Sequence, residues 1–316
     1  MCTGVRFSDS NGNMYFGRNL DWTCGYGQKV VLTPRGYQYH SAFLGEMTPR
    51  NGAIIGMAII EENTPLYFDC ANEAGLAIAG LNFPGYASYE PQAVDGKTNV
   101  AAYEFPLWIA LNFSSVDQVE AALKDTCIIA KPINEKFPVS ELHYIIGDAT
   151  RSIVVEYTKN GMEIFHNEVD ILTNQPGYAW HQENLRNYMN LEPKRPHEVK
   201  WGKQTLVPFG SGSMMRGIPG DYYSPSRFVR VAYLNTHYPI KDNEDENVMR
   251  LFHTLTGVAM IDGAAAMDGE NFEKTIYTGG YSTASKTYYY NTYENPAVMH
   301  VSMHDHDLDK SELVAI

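Results

Sequence analysis

The opening stretch, Met1 to Trp22, constrains this chain more than any other. A cysteine stands directly behind the initiator methionine, in Met1-Cys2-Thr3-Gly4. Methionine aminopeptidases remove Met when the next side chain is as small as Cys. The thiol and a free α-amine then share one residue. An unperturbed thiol has a pKa of about 8.5 and an α-amino group one of about 7.7–8.0. The amine is therefore largely neutral near neutral pH and can take the thiol proton, directly or through a water. Cys2 then supplies both a nucleophile and its general base. Asn13-Met14-Tyr15-Phe16-Gly17-Arg18 reads as a strand after the Asp9-Ser10-Asn11-Gly12 turn. A strand, a turn and a returning strand bring Arg18 and Asp21 back beside the N-terminus. These are charges of the kinds needed to hold a thiolate and to orient an amine.

Length and charge narrow the setting. The chain has 316 residues, and neither a linker nor an internal repeat divides it, which predicts one domain over residues 1–316. It carries 24 Lys and Arg against 37 Asp and Glu, a net −13. That balance argues against nucleic acid as a partner and against attraction to anionic membranes. An acidic protein that takes an anionic substrate needs a local positive site, which draws attention to Arg18 and Arg227. Arg6, Asp9 and Asn11 interrupt any apolar run at the start, and no stretch of about 18 apolar residues follows. Neither a secretory signal nor a spanning helix is expected. Cys2, Cys24, Cys70 and Cys127 have no zinc-ligand spacing, and reduced thiols in a cytoplasm fit them best. His300, His304 and His306, with Asp305, Asp307 and Asp309, read as a polar chain end at the surface, because no apolar shell encloses them. No metal and no cofactor is expected. Asn112-Phe113-Ser114 is read as an idle glycosylation acceptor.

Residues 51–60 and 66–83 are apolar and partly β-branched, and Asn63-Thr64-Pro65 and Asn72-Glu73-Ala74-Gly75 punctuate them into three strands. Asn82 falls at the end of the third. Between Ala101 and Lys124 the period becomes helical, with a capping-box pattern at Ser115-Val116-Asp117-Gln118. Strands are predicted at 143–147, 152–157 and 162–166. A helix is predicted at 181–189 and a long loop from Asn190 to Asp221. Helices follow at 226–235 and from an acidic start at 242–246. Strands near 275–278, 286–292 and 298–303 close the chain. This order is not the strict β-α alternation of a doubly wound fold.

The start Met1-Cys2-Thr3, the run Gly17-Arg18-Asn19-Leu20-Asp21-Trp22 and the segment Leu81-Asn82-Phe83-Pro84-Gly85 resemble the choloylglycine hydrolase family. The likeness continues through Leu172-Thr173-Asn174-Gln175-Pro176, Gly217-Ile218-Pro219-Gly220-Asp221, Ser224-Pro225-Ser226-Arg227-Phe228 and Asn291-Thr292-Tyr293-Glu294. It covers essentially the whole chain and is closest in wording to bile salt hydrolases of bifidobacteria. The family also includes penicillin V acylases. The resemblance implies an α+β fold, a four-layer αββα sandwich of two antiparallel sheets (the N-terminal-nucleophile hydrolase fold). It implies a homotetramer and a small-molecule substrate, a conjugated bile salt.

The resemblance also assigns roles. Cys2 is the nucleophile, and Arg18 steadies its thiolate. Asp21 orients the Cys2 amine. The backbone N–H of Asn82 and the side-chain amide of Asn174 form the oxyanion site. Arg227 completes the charge network. Arg230 lies three residues further along the same predicted helix, and only the matched motif selects Arg227. A steroid substrate needs apolar walls, expected from Trp22, Tyr26, Phe83, Tyr103 and Phe105. Asn at position 82 goes with bile salt hydrolases, whereas penicillin V acylases tend to have Tyr. One departure stands beside the nucleophile: Thr23-Cys24-Gly25 precedes Tyr26, where the family places an aromatic and a Ser. Penicillin V or another N-acyl amide is the alternative substrate. A catalytically dead binder of amphipathic acids is the non-enzyme alternative.

Overall fold

A computed structural model describes residues Met1–Ile316. Its first hairpin follows from local chemistry. The Asp9 carboxylate accepts from the N–H groups of Asn11 and Asn13, both at 2.9 Å. Gly12 supplies the positive φ that closes the turn. Strand Cys2–Ser8 then pairs antiparallel with Met14–Trp22, with Cys2 opposite Leu20 and Gly4 opposite Arg18.

This hairpin sits inside a seven-stranded antiparallel sheet. Ile171–Leu172 flanks Cys2–Ser8, while Asn271–Ser282, Thr287–Thr292 and Met299–Ser302 extend the other side. A second sheet of eight antiparallel strands runs from Gly161–His166 through Ser152–Thr158, Leu142–Gly147, Ala77–Asn82, Thr64–Asn72, Ile54–Glu61 and Lys29–Thr33 to Val314–Ala315. The two sheets pack face to face. At Gly4 a Cβ would stand 3.0 Å from the Ile145 side chain, so the close approach of the sheets favours glycine there.

Helices cover the outer faces. Helix α1 (Phe105–Asn112) packs on the eight-stranded sheet, and α2 (Val116–Leu123) follows it. The Ser115 side chain caps α2 by accepting from the Gln118 N–H, the half of the capping box that the structure forms. Helix α3 (Tyr178–Asn184) leads towards the other side of the molecule. There α4 (Ser224–His237) and α5 (Glu244–Thr256) lie on the seven-stranded sheet. Leu251 of α5 descends onto Gly17 and Gly280, where a Cβ would collide with it. The result is the expected four-layer α+β arrangement. One core cluster lies between the sheets and reaches α4 and α5, and another lies between the eight-stranded sheet and α1 and α2.

Some details differ from the sequence reading. The long loop after Asn190 contains a small exposed hairpin, Val199–Trp201 with Gln204–Leu206. Val199 and Trp201 share one of its faces but stay exposed, so the hairpin adds nothing to the core. The strand expected at 275–278 runs from Asn271 to Ser282. Lys29–Thr33 is a further strand of the eight-stranded sheet that the sequence reading does not include. No helix is long and apolar enough to cross a membrane.

Candidate active site

Strand alternation divides the hairpin's charged side chains between two environments. Cys2, Gly4, Arg18 and Leu20 share the face turned to the second sheet. Thr3, Asn19 and Asp21 share the face turned to α4 and α5.

On the inner face, Arg18 is fully buried and donates through Nη2 to the Cys2 sulfur at 2.7 Å. Its Nη1 donates to Phe68 O (3.1 Å) and Gly80 O (3.0 Å). The pairing of Thr64–Asn72 with Ala77–Asn82 ends at Asp69 and Ala79. Arg18 thus fills the gap where these strands separate and satisfies carbonyls that have lost their ladder partners. Asp69 stands behind it without a direct ion pair, accepting from the hydroxyls of Tyr277 and Tyr288. Burial works against the Arg18 charge, but Cys2, Tyr277, Asp69 and Asp21 together raise its pKa above the ordinary value.

On the outer face, Asp21 is also fully buried. Thr275 Oγ1 donates to its Oδ1 at 2.6 Å, and Met260 N–H occupies the acceptor side of that hydroxyl at 2.7 Å. Asp21 Oδ2 has no partner. Burial raises the Asp21 pKa, opposed by Arg227, the N-terminal ammonium, Thr275 and Arg18. A bulge between Thr275 and Tyr277 shifts the register by one residue, so Thr275 faces Asp21 while Tyr277 faces Arg18.

Cys2 carries Met1 in this structure, so its nitrogen is an amide. That N–H donates to Asn174 Oδ1 at 2.8 Å. The expected contact from the Cys2 nitrogen to Asp21 is therefore absent. The Met1 ammonium instead donates to Asp21 O (2.7 Å) and to Glu273 Oε1 (2.6 Å).

Asn174 and Arg227 close the ring. Arg227, in the first turn of α4, donates to Cys2 O, to Thr3 Oγ1 (2.7 Å) and to Asn174 Oδ1 (2.7 Å). Arg230 instead turns to the loop carbonyls of Pro219 and Asp221, which separates the two arginines that sequence spacing could not. Asn174 Nδ2 donates to Asn82 O at 2.7 Å, leaving its second hydrogen free. Phe83 N–H donates to Glu141 O. Antiparallel alternation then points the Asn82 N–H to the opposite edge of its strand, the edge that Thr64–Asn72 has left.

The apolar walls divide. Tyr26 is exposed and packs on Phe68 with ring centroids 5.5 Å apart. Burial of its hydroxyl and the nearby Cys24 and Cys2 push its pKa up to about 12. Trp22, at the end of its strand, is partly buried. The expectation fails for Phe105. It is fully buried in the cluster beneath α1, 4.6 Å from the Tyr144 ring, with the eight-stranded sheet between it and Cys2. Tyr103 adjoins Glu104 and Tyr39 on that same side. Phe83 is fully buried as well, stacked on His143 at 4.0 Å, and offers no open face. Sequence reading missed Thr3, Phe68, Glu273 and Thr275. The alternation Thr275-Ile276-Tyr277 was visible, but its bulge was not.

Two antiparallel sheets between helical layers, with the first residues on a central strand at a ring of buried charges, define the N-terminal-nucleophile hydrolase fold. The chain belongs to the choloylglycine hydrolase family of linear amide C–N hydrolases, whose model matches residues 2–316. It is 52% identical over 316 residues to a bile salt hydrolase/transferase of Bifidobacterium longum subsp. longum, covering 100% of this chain and 99% of that one. It is 44% identical over 315 residues to a conjugated bile acid hydrolase of Lactobacillus acidophilus, covering 99% of each. Among solved structures, the mutant C2A conjugated bile acid hydrolase from Clostridium perfringens superposes with a TM-score of 0.93 at 38% identity, over 100% of this chain and 96% of that one. A penicillin V acylase from Agrobacterium tumefaciens shares the fold, with a TM-score of 0.78 at 20% identity, over 99% of this chain and 90% of that one.

Proposed function

We propose that this protein hydrolyses the amide bond of glycine- and taurine-conjugated bile salts through a Cys2 thioester, after Met1 has been removed. The observation that supports the chemistry is the linked set of contacts from Arg18 to the Cys2 sulfur, from Cys2 N–H to Asn174, and from Asn174 to Asn82 O. The names of the relatives carry the substrate class.

The steps follow from the two faces. The freed Cys2 amine takes the thiol proton, and the unpartnered Asp21 Oδ2 is the acceptor that orients it. The thiolate, steadied by Arg18, attacks the substrate carbonyl and forms a C–S bond. Asn82 N–H and Asn174 Nδ2 hold the oxyanion, each donor contributing about 3 kcal/mol. The C–N bond breaks as the amine returns its proton to the departing amino acid. Water, deprotonated by the same amine, then cleaves the thioester and releases the bile acid. Arg227 fixes Asn174 and the Cys2 carbonyl in both halves of the cycle. A protein that only binds amphipathic acids has no use for this set.

Both sheets draw strands from distant parts of the chain, which supports one domain over residues 1–316. A homotetramer rests on the family resemblance and a cytoplasmic location on the free thiols, and light scattering of the purified protein measures the assembly.

The test uses protein whose N-terminal Cys2 is verified by mass spectrometry. Free glycine and taurine are measured after incubation with conjugated bile salts, with penicillin V in parallel. Release from bile salts is the expected result. Turnover of penicillin V alone would move the substrate and direct attention to Thr23-Cys24-Gly25.

The divided walls give a second expectation. Tyr26→Ala raises KM for bile salts several-fold with little effect on stability. Phe105→Ala leaves KM unchanged and costs about 3–5 kcal/mol of stability. Thermal melts and steady-state kinetics on both variants check this. A KM change in Phe105→Ala at unchanged stability would return that ring to the substrate.

A further inference from the structure

We propose that His143 and His181 are positioning residues that lock Asn82, Asn174 and Arg227 into one rigid unit; this rests on the amidase reading above.

Asn174 lies just past the short strand Ile171–Leu172, where no sheet ladder fixes its backbone. An oxyanion donor works only when its geometry is held to a fraction of an ångström. Two buried imidazoles hold this one. His143 Nε2 faces Thr173 O at 2.8 Å, and His181 Nε2 faces Asn174 O at 2.9 Å. A carbonyl oxygen only accepts, so each Nε2 carries a hydrogen and donates it. Two successive carbonyls are thereby pinned from two different elements. His143 is oriented in turn by Glu156 Oε1, 3.1 Å from its Nδ1.

Each ring also reaches a second site residue through that residue's chain neighbour. His143 lies nearly parallel to Phe83, 4.0 Å away, and Phe83 directly follows Asn82. His181 lies nearly parallel to Phe228, 4.5 Å away, and Phe228 directly follows Arg227. One histidine thus joins the two oxyanion donors, and the other joins Asn174 to Arg227. The Nδ1 of His181 is buried without a partner. A phenylalanine would fill the same slot without leaving an unpaired nitrogen. The only hydrogen bond this ring makes is the one to Asn174 O, which marks that contact as the reason for a histidine here. Burial lowers the His181 pKa to about 4, so the ring stays neutral and its tautomer fixed.

The test is a double-mutant cycle on Met1-free protein. His181→Phe preserves the stack and removes the donor. It is expected to lower kcat roughly tenfold or more while KM stays within about twofold, and His181→Gln, which keeps a donor, regains part of the loss. In an Asn174→Ala background the same His181→Phe change should alter kcat by less than about twofold, because the group it positions is gone. Equal losses in the two backgrounds, or a change in KM alone, would overturn the proposal. Circular dichroism and melting report folding for every variant. If His181→Phe does not fold, His181→Leu, which also removes the donor, carries the same cycle, with the same two outcomes. An inactive parent protein would instead defeat the bile salt reading, and active parent with additive losses defeats only the clamp.

Discussion

Replacing Cys2 with Ala abolishes hydrolysis of conjugated bile salts and leaves the fold intact. Rate losses of at least about 10⁴-fold are expected when a covalent nucleophile is removed from a site whose members act together. The fold survives because the sulfur is one partner among several. Arg18 still donates to Asn19 O, Phe68 O and Gly80 O. Alanine also keeps the Cys2 N–H that donates to Asn174. Amino acid release and a thermal melt on the same preparation check both halves. Turnover within tenfold of the parent would remove the thiol from the chemistry.

The second large effect is expected at Arg227. Arg227→Met fills a similar volume but withdraws donors from Cys2 O, Thr3 Oγ1 and Asn174 Oδ1 at once. It also leaves Asp21 without a buried cation that favours its charged form. Breaking one side of a buried charge network costs about 3–5 kcal/mol of stability. Freeing the Asn174 amide to rotate adds a loss of about 10²–10³-fold in kcat, the size seen when an oxyanion donor is lost. Chemical denaturation and kcat measured below the unfolding transition separate the two. Arg230→Met, one turn further along α4, is the control and should lose neither. A variant at Arg227 with parental kcat would show that Asn174 is held by its other contacts alone.

Much of this molecule was legible in its residues. The hairpin of Cys2–Ser8 and Met14–Trp22 follows from a turn of Asp, Asn and Gly between alternating strands. The three strands between Ile54 and Asn82 are punctuated just as clearly. The site was legible for a different reason: its residues lie in short segments whose order along the chain is specific. What escaped was three-dimensional. A helical period shows that Phe105 is buried, but not that a sheet stands between it and the nucleophile. The one-residue bulge after Thr275 leaves no mark in composition. His143 and His181 belong to no motif, and single buried histidines look alike in any sequence. The exposed hairpin at Val199–Leu206 escaped because its strands bury no apolar face.

The placement of the nucleophile and Asp21 on opposite faces of one strand pair has a consequence for altering the protein. The plane of the sheet acts as a partition. Tyr26 and Phe68 stand on one side with the Cys2 sulfur and Arg18, while Asp21 and Thr275 are enclosed on the other. Changes to the walls that leave Arg18 in place alter the space around the sulfur while the Asp21 side keeps its own contacts.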